Sequence, residues 1–331
     1  MTLLVGQDDV ARLLPMSDCI EAMAAALSAL ARGDAALPIR QIVRLPSGGF
    51  LGSMPAAVGP LGVFGVKALS VFHANEGTPF DSHQGAVLLF ESAHGRLLAI
   101  VDATSVTAIR TAAVSALATR LLAREDAREL ALLGTGVQAR THLEAIRLVR
   151  PLSRVRVFSR DPARVRAFAE RESKAHGIEV APCASAETAV RGADIVCTVT
   201  SSCEPVLRGA WLAAGTHVNV VGAATPECRE VDTDAVVRSR VFVDRRESAL
   251  HEAGDLLIPM REQAITGDHV LAELGELLAG RVAGRRSAEE VTLFKSLGLA
   301  IEDVAAAHVV HQNAERQGSG TRIDLGGKRH G

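Results

Sequence analysis

Short apolar runs recur at regular intervals from residue 129 onward. They are separated by helical or loop stretches such as 162–176 and 184–191, and they read Leu130–Leu133, Val155–Phe158, Ile178–Val180, Ile195–Thr198, His217–Val221 and Val241–Val243. Uninterrupted Val- and Leu-rich runs of this length are typical of strands buried on both faces of a parallel sheet. The alternation therefore predicts an α/β fold, a doubly wound parallel sheet of six strands.

The first third of the chain has a different texture. Helices are predicted at Asp8–Leu14 and Ser17–Arg32, the second with Ser17 as its N-cap and Gly33 as its stop. Residues 39–45 alternate at period two and pair back through the turn 46–49 onto 50–54. Further strands are predicted at Val63–Phe72, Gln84–Glu91 and Arg96–Val101, with a polar loop at His73–Pro79 and a long helix at Asp102–Leu122. This is an α+β pattern.

The last part of the chain is predicted to be helical. One helix is expected around Val270–Leu278, and Val291–Val310 reads as a single long apolar helix that Phe294 and Lys295 open. The glycine-rich tail from Gln317 is expected to fray.

A glycine motif follows the first strand of the parallel sheet. Gly134, Gly136 and Ala139 match G-x-G-x-x-G/A, in which the first glycine permits the tight turn and the second lets backbone approach a pyrophosphate. The helix N-terminus behind it points amide groups at the phosphates. The motif alone is weak, but its place between a strand and a helix indicates a Rossmann dinucleotide site.

The end of the next strand, at Ser159 and Arg160, bears on which dinucleotide is bound. An acidic residue there accepts from the ribose 2′-hydroxyl, whereas arginine accommodates a 2′-phosphate. Asp161 precedes Pro162 and is expected to cap the following helix. Ser159 and Arg160 therefore favour NADP(H), and NAD(H) is the alternative. The other interpretation of Arg160 is a solvated surface arginine.

Composition excludes several classes of protein. A net charge of −2 over 331 residues, with 3% aromatic residues, gives no basis for nucleic acid or membrane binding. No metal site, membrane span or signal peptide is expected. Five scattered cysteines without a C-x-x-C pair predict no disulfide and favour a reducing, cytoplasmic location, with Cys197 in the core and Cys203 in a loop.

Three cations interrupt apolar segments of the first third. Lys67 lies in a strand, Arg40 lies in another, and Arg110 stands alone in a helix of small residues. Each either faces solvent or points into a cleft, and a lone arginine is costly to bury without an anion. Together they are candidates for gripping a substrate carboxylate, with arginine supplying a bidentate fork and Lys67 suited to proton transfer.

Two further residues keep open interpretations. His83 either carries a proton or structures its loop through hydrogen bonds. Asp303, in the C-terminal helix, is either an ion-pair partner or a catalytic group.

Several longer motifs occur together in this chain. They are Leu51–Ala56, Lys67–Phe72, Ser82–Glu91, Thr107–Thr119, Gly134–Ala139, Val221–Asp232 and Thr292–Ala307. With them the sequence resembles the ornithine cyclodeaminase/mu-crystallin family over nearly its whole length, and within it the ketimine-reductase type.

The resemblance implies a fold and a set of ligand contacts. It implies a substrate and dimerisation domain at 1–115, to which 297–331 return, with a Rossmann domain at 116–296 inserted between them, and a homodimer formed through the N-terminal domain. Arg40, Lys67 and Arg110 match the family's carboxylate ligands. The implied cofactor contacts, together with Gly134, Gly136 and Gly222, are Thr111, Val137, Gln138, Ser159, Arg160, Thr200 and Phe294.

One position departs from the cyclodeaminase pattern. Ala224 stands where the family's cyclodeaminases carry a proton-transferring aspartate, which favours imine reduction over ornithine cyclisation. The function expected is an NAD(P)H-dependent reductase of cyclic ketimines or α-imino acids. The alternatives are an ornithine cyclodeaminase that recycles bound NAD, and a non-enzymatic binder of a small ligand and NADPH. For this function we expect the three cations Arg40, Lys67 and Arg110 to lie together, with no carboxylate nearby to take a proton from an amine.

Overall fold

The computed structural model describes residues 1–46, 48–75 and 77–327, without the side chain of His73. Ser47 in the predicted turn, Glu76 in the predicted loop and the last four residues of the predicted tail lie outside these ranges. The helices and strands in chain order are β1 Thr2–Val5, α1 Gln7–Leu13, α2 Met16–Arg32, β2 Ala35–Ala36, β3 Gln41–Arg44, β4 Phe50–Val58, β5 Val63–Val71, β6 His83–Glu91, β7 Leu97–Asp102, α3 Ala103–Leu122, β8 Glu129–Leu133, α4 Val137–Val149, β9 Arg154–Phe158, α5 Pro162–His176, β10 Glu179–Pro182, α6 Ala186–Val190, β11 Ile195–Thr198, β12 His217–Val220, α7 Thr233–Val237, β13 Ser239–Val243, α8 Arg246–Glu252, α9 Gly254–Arg261, β14 Val270–Glu273, α10 Leu274–Leu278, β15 Val291–Lys295, α11 Ala300–Gln317 and β16 Thr321–Ile323.

The chain divides into two compact units. Unit 1 is Met1–Arg110 together with the chain from Gly298 on, and unit 2 is Thr111–Leu297. The boundaries predicted from the sequence lie five residues and one residue away, at 115/116 and 296/297. The first boundary falls inside α3, where the pattern of small residues continues without a break.

Unit 1 is built on a mixed sheet with strand order β16-β1-β7-β6-β5-β4-β2, and β3 pairs with β4. Strands β4 to β7 form an antiparallel meander, in which successive side chains of each strand lie on opposite faces. Helices α2 and α11 pack on this sheet. Helix α2 ends at Gly33 in the left-handed conformation, as predicted.

The register of this sheet separates two faces. Lys67 pairs with Met54 and Val87, and these side chains, with Val101 and Val5 beyond them, lie on the buried face. The adjacent row lies on the opposite face, and it consists of Pro55, Val66, Leu88, Ile100 and Leu4. That row is only partly buried, and Leu4 is 42% exposed. The second face is therefore apolar and open within unit 1.

Unit 2 is built on a parallel sheet with strand order β10-β9-β8-β11-β12-β15-β13-β14. Its central strands β8, β11, β12, β13 and β15 are almost entirely buried, and continuous apolar runs predicted all of these except β15 as strands. The chain runs outward from β8 through β9 to β10 and then returns to β11 on the other side of β8. The strand order therefore reverses at β8, where open parallel sheets place their ligand crevice.

The N-terminal predictions need three corrections. Residues 2–5, for which no element was predicted, form strand β1, which pairs with β7 and β16. Ser17 is not an N-cap, because α2 begins at Met16 and Pro15 occupies the cap position. Arg40 precedes β3 rather than lying in it.

The C-terminal predictions need a larger correction. Val291–Val310 is not one helix: Val291–Lys295 is strand β15 between β12 and β13, and α11 begins only at Ala300. Gly298, at a φ of 78°, breaks the apolar run, since only glycine adopts this region without strain. Residues 270–273 likewise form a strand, so the described part of the parallel sheet has eight strands where six were predicted.

The prediction that no disulfide forms is wrong. Cys203 and Cys228 are disulfide-bonded. They are 25 residues apart and follow β11 and β12, which are neighbouring parallel strands. Parallel pairing brings the loops at the carboxyl ends of both strands together, a proximity that cysteine spacing cannot reveal. Cys197 is buried in β11, as predicted.

No helix in the described ranges is by itself long and apolar enough to span a bilayer. Within these ranges, only α1 and α2 taken together have the length and composition of such a span, and the two helices are bent by 81° relative to each other.

Candidate active site

Lys67 is the most deeply buried cation of unit 1, with 1% of its surface exposed. The alternation of β5 directs it to the face on which α11 packs. Its Nζ lies 2.7 Å from Oδ2 of Asp303 and 3.4 Å from Oγ1 of Thr107. A lysine inside an apolar sheet is stable only with such a partner, because an unpaired buried charge is very costly.

Arg110 joins the same acidic residues from helix α3. Its Nε donates to Oδ1 of Asp303 at 3.0 Å, and its Nη1 donates to Oε2 of Glu302 at 3.0 Å. Both acids are fully buried, at the start of α11. The sequence predicted that Arg110 offers its fork to a substrate carboxylate, but the protein's own carboxylates already occupy two of its donor atoms.

Arg40 reaches this cluster through the backbone of Gly298. Its Nη2 donates to the carbonyl oxygen of Gly298 at 3.2 Å. A Cβ atom added to Gly298 would lie 2.2 Å from Nη1 of Arg110, so the glycine backbone lies directly against that guanidinium. One residue therefore contacts both arginines, and the three predicted cations are brought together.

Burial and neighbouring charges set the protonation of this cluster. The pKa of Lys67 is lowered to about 8 from an ordinary value of 10.5, chiefly by burial; the attraction of Asp303 opposes this shift, and the positive charges of Arg110 and Arg40 add to it. Burial raises the pKa of Asp303, but Arg110 and Lys67 outweigh that effect and hold it below its ordinary value. Lys67 can therefore exchange a proton near neutral pH while Asp303 stays ionised.

The expectation of a carboxylate-free trio is corrected by this arrangement. The three cations lie together with the buried carboxylates of Glu302 and Asp303.

His83 lies apart from the cluster. It is exposed at the start of β6, four residues before Val87, the partner of Lys67, and so roughly 13 Å along the strand at about 3.3 Å per residue. Its Nδ1 shares a hydrogen bond of 2.9 Å with Oγ of Ser82, and its carbonyl oxygen accepts from Thr104. These contacts fit the interpretation that His83 structures its loop.

The glycine motif of unit 2 joins β8 to α4. Gly134 has a φ of 124°, and a Cβ atom there would lie 2.6 Å from the carbonyl oxygen of Val199, so the turn requires glycine. Gly136 is the N-cap of α4, and a Cβ atom there would have no atom within 4 Å. The N-terminus of this 13-residue helix thus has space beside it, which fits a pyrophosphate.

Three predicted cofactor contacts lie in α3 and α4. Val137, 49% exposed, opens α4, and Gln138 follows it with a buried Oε1 that has no hydrogen-bond partner among the described residues. Such an atom is costly unless a ligand satisfies it. Thr111 is almost fully buried in α3.

Ser159 and Arg160 end strand β9, beside the glycine motif. Oγ1 of Thr135 donates to Oγ of Ser159 at 3.3 Å, while Arg160 is exposed. Asp161 caps α5, accepting from the amides of Ala163 and Arg164, as predicted. Its carboxylate is thereby committed to the N-terminus of α5.

Thr200 and Gly222 lie at the carboxyl ends of β11 and β12. The amides of both donate to the buried carboxylate of Glu230, each at 2.6 Å. Burial, reinforced by Asp255, raises the pKa of Glu230, and hydrogen bonds from Thr200 oppose that rise.

Two other predicted positions fare differently. Phe294 is fully buried within β15 rather than at the opening of a helix, so its side chain presents no surface to a cofactor. Ala224 is partly buried and packs against the apolar core of unit 2.

Sequence reasoning missed the acidic half of the site. Glu302, Asp303 and Glu230 are fully buried, yet only Asp303 was considered, as one of two open alternatives. A signal was present: Glu302 and Asp303 stand in a run of apolar and alanine residues, the same pattern that singled out Arg110. Complementary charges isolated in two such helices predict a buried ion pair.

The model of the ornithine cyclodeaminase/mu-crystallin family matches residues 1–318. The chain belongs to this family. It is 39% identical over 295 residues to the ketimine reductase mu-crystallin of Mus musculus, a match that covers 89% of this chain and 90% of the mouse protein.

Two solved structures are similar over almost the whole chain. One is the Thermococcus litoralis Δ1-pyrroline-2-carboxylate reductase in complex with NADH and L-proline, with 38% identity, a TM-score of 0.95 and coverage of 97% of this chain and 100% of that one. The other is an archaeal alanine dehydrogenase dimer with bound NAD, with 32% identity, a TM-score of 0.93 and coverage of 98% and 99%. Both support the predicted fold class.

Proposed function

We propose that this chain is an NAD(P)H-dependent reductase that converts cyclic ketimines, or open-chain α-imino acids, to the corresponding amino acids. The observation that carries the proposal is the buried Lys67–Asp303–Arg110 cluster, in which a lysine of lowered pKa lies beside an arginine held in place by two carboxylates. Similarity to a ketimine reductase and to a pyrroline-2-carboxylate reductase supports it.

The substrate carboxylate is bound by the guanidinium groups of Arg40 and Arg110. Arg40 donates to Gly298 through Nη2, and Arg110 is oriented by Glu302 and Asp303. Guanidinium groups fixed in this way lose little entropy on binding a carboxylate. The role of the acids is therefore to orient Arg110.

Lys67 manages the proton of the reaction. Reduction of C=N requires one hydride at carbon and one proton at nitrogen, and bound NAD(P)H supplies the hydride. The Nζ group of Lys67, paired with Asp303, holds the proton for the imine nitrogen, either directly or through a water. An imine is protonated more readily than a ketone, so the single lysine is sufficient.

The nicotinamide cofactor is proposed to bind unit 2. Gly134, Gly136 and the N-terminus of α4 hold the pyrophosphate, while Thr200 and Gly222 contact the nicotinamide half. The preference for NADP(H) rests on the exposed Arg160 and on the commitment of Asp161 to its helix. NAD(H) is the alternative that the solved relatives favour.

A single assay separates the candidate functions. Purified protein is mixed with NADPH or NADH and Δ1-piperideine-2-carboxylate or Δ1-pyrroline-2-carboxylate, and in parallel with NAD and ornithine, while nicotinamide absorbance and ammonia release are followed. Oxidation of the reduced cofactor with the cyclic imine is the expected result. Ammonia release from ornithine without net cofactor change would identify a cyclodeaminase despite Ala224, and binding without turnover would identify a binding protein.

We also propose a homodimer formed through the open apolar face of the unit 1 sheet, as the dimeric alanine dehydrogenase suggests. Leu88 lies near the middle of that face, and Phe64 and Phe90 stack beside it at 5.1 Å. Leu88→Arg should convert the dimer to a monomer in light scattering, whereas Leu148→Arg, at an exposed position of α4, should not. A monomeric unaltered chain contradicts the proposal.

The cytoplasmic location expected from the sequence stays a prediction, which cell fractionation tests.

A further inference from the structure

The loops after β11 and β12 are tied together by one buried side chain. Both oxygens of Glu230 accept two hydrogen bonds: Oε1 accepts from the amide and hydroxyl of Thr200 at 2.6 and 2.7 Å, and Oε2 accepts from Thr198 at 2.8 Å and from the amide of Gly222 at 2.6 Å. Glu230 is fully buried. Both oxygens of a carboxylate accept hydrogen bonds, so this one side chain satisfies four donors that lie in or directly after β11 and β12.

Glu230 is itself fixed from behind. Its amide donates to Oδ1 of Asp255 at 2.7 Å, and Oδ2 of Asp255 lies 2.9 Å from Nζ of Lys295. Nζ of Lys295 also donates to the carbonyl oxygen of Ala223, the residue after Gly222. Three fully buried ionisable groups thus form a chain that ends on the two loop backbones.

The same loops are joined outside this chain of charges. Cys203 of the first loop is disulfide-bonded to Cys228 of the second, and the carbonyl oxygen of Glu230 accepts from the amides of Val206 and Leu207. The spacing of the loop backbones is therefore fixed from several sides.

These loops lie on one side of the point where the strand order reverses. The adenosine side of the site, at Ser159 and Arg160, follows β9, whereas Thr200 and Gly222 follow β11 and β12 on the other side of β8. A dinucleotide bound across such a reversal places its two halves on opposite sides. The nicotinamide half then meets the loops that Glu230 fixes.

We propose that Glu230, backed by Asp255 and Lys295, is a positioning residue for the nicotinamide half of the cofactor, and this inference rests on the proposed function. It acts through the amides of Thr200 and Gly222. Without a carboxylate at this position, at least two of the four donors lose their acceptor, and the amides of Thr200 and Gly222 lose the contact that orients them, while the disulfide and the backbone contacts still join the loops. The adenosine half is bound on the other side of β8, at the end of β9, so the affinity for this half does not change.

The test compares whole cofactor with half a cofactor. Glu230→Gln retains the size of the side chain but replaces one acceptor oxygen with a donor. Dissociation constants are measured for NADPH and NADH, and for the fragments 2′,5′-ADP and 5′-ADP, which lack the nicotinamide half. We expect the dissociation constant of the preferred dinucleotide to rise at least about tenfold and that of its fragment to change less than twofold, since lost hydrogen bonds to a charged acceptor carry effects of this size.

Glu172→Gln is the matched control. Glu172 is also a buried glutamate of unit 2, but it pairs with Arg171 and His176 in α5 and contacts neither loop. It should leave the affinity for dinucleotide and for fragment unchanged. Equal weakening of fragment and dinucleotide in Glu230→Gln would reveal a merely structural role, and unchanged affinity for both would also overturn the proposal.

A second variant covers failure of Glu230→Gln to fold. Thr198→Val removes one donor to Glu230 within β11 and leaves both loop backbones intact. It should raise the dissociation constant of the dinucleotide about threefold and leave that of the fragment unchanged. A dissociation constant for NADPH equal to that of the unaltered chain overturns the inference. If the unaltered chain binds dinucleotide but reduces no imine, the proposed function fails while this comparison stands. If it reduces imines and Glu230→Gln binds dinucleotide normally, the inference fails alone.

Discussion

Each unit of this chain contains a lysine fully enclosed in a strand and paired with an aspartate. Lys67 lies 2.7 Å from Asp303 in unit 1, and Lys295 lies 2.9 Å from Asp255 in unit 2. The surroundings differ. Two arginines lie near Lys67, whereas Glu230 lies near the Lys295–Asp255 pair. We therefore expect the first ion pair to serve the reaction and the second to brace two loops.

The comparison is tested most strongly by removing Lys67. Lys67→Met retains volume and leaves Asp303 with Arg110 as its counter-charge. Turnover of the cyclic imine should fall by about 10²- to 10⁴-fold, the contribution of a positioned proton donor. NADPH affinity, measured by fluorescence titration, should stay within about twofold. Normal turnover would remove Lys67 from the mechanism.

Removing the second lysine should affect stability instead. Lys295→Met leaves Asp255 buried without a cation and close to Glu230. Breaking a buried pair in this way costs about 3–5 kcal/mol of unfolding free energy. Denaturant unfolding of both variants measures the difference. A Lys67→Met chain destabilised as much as Lys295→Met would erase the distinction between the two lysines.

The pH dependence of activity sharpens the same contrast. Because the pKa of Lys67 is lowered to about 8, its ammonium group is present below that pH and is lost as pH rises through it. The value of kcat/KM should therefore fall on the alkaline side, near pH 8. Asp303→Asn removes an attraction that raises this pKa, so the fall should move to lower pH, by about one to three units. An unshifted profile would mean that another group titrates.

The smallest expected effect concerns cofactor choice. Arg160→Ala should weaken the binding of NADPH about tenfold, equivalent to about 1.4 kcal/mol of binding free energy, because it removes the cation expected to contact the 2′-phosphate. NADH binding should not change. Arg166→Ala, an exposed arginine further along α5, serves as control. If both variants bind NADPH equally well, Arg160 is only a surface residue.

Patterns that extend over short stretches predicted most of the fold. The parallel strands β8 to β13 and the glycine motif follow from local periodicity, because a strand buried on both faces must be apolar throughout. The same rule failed at Val291–Val310, where a buried strand and a buried helix follow each other in one apolar run. Gly298 was the only mark of the break.

The cationic side of the site was predicted from the sequence, whereas the acidic side was not. Lys67, Arg40 and Arg110 stand out because each interrupts an apolar segment, and the structure brings them together. Their acidic partner could not be assigned by spacing, since Asp303 is 193 residues from Arg110. The Cys203–Cys228 bond and the contacts of Glu230 escaped for the same reason: they depend on which strands become neighbours.

The late position of α11 in the chain has a consequence for synthesis. Unit 2 is translated as one continuous segment before α11. Until α11 follows, strands β4 to β7 lack its cover, and Lys67 lacks Asp303 as its partner. A chain that ends at Leu299 should therefore have a protease-resistant insert and a protease-sensitive N-terminal third once it is released from the ribosome.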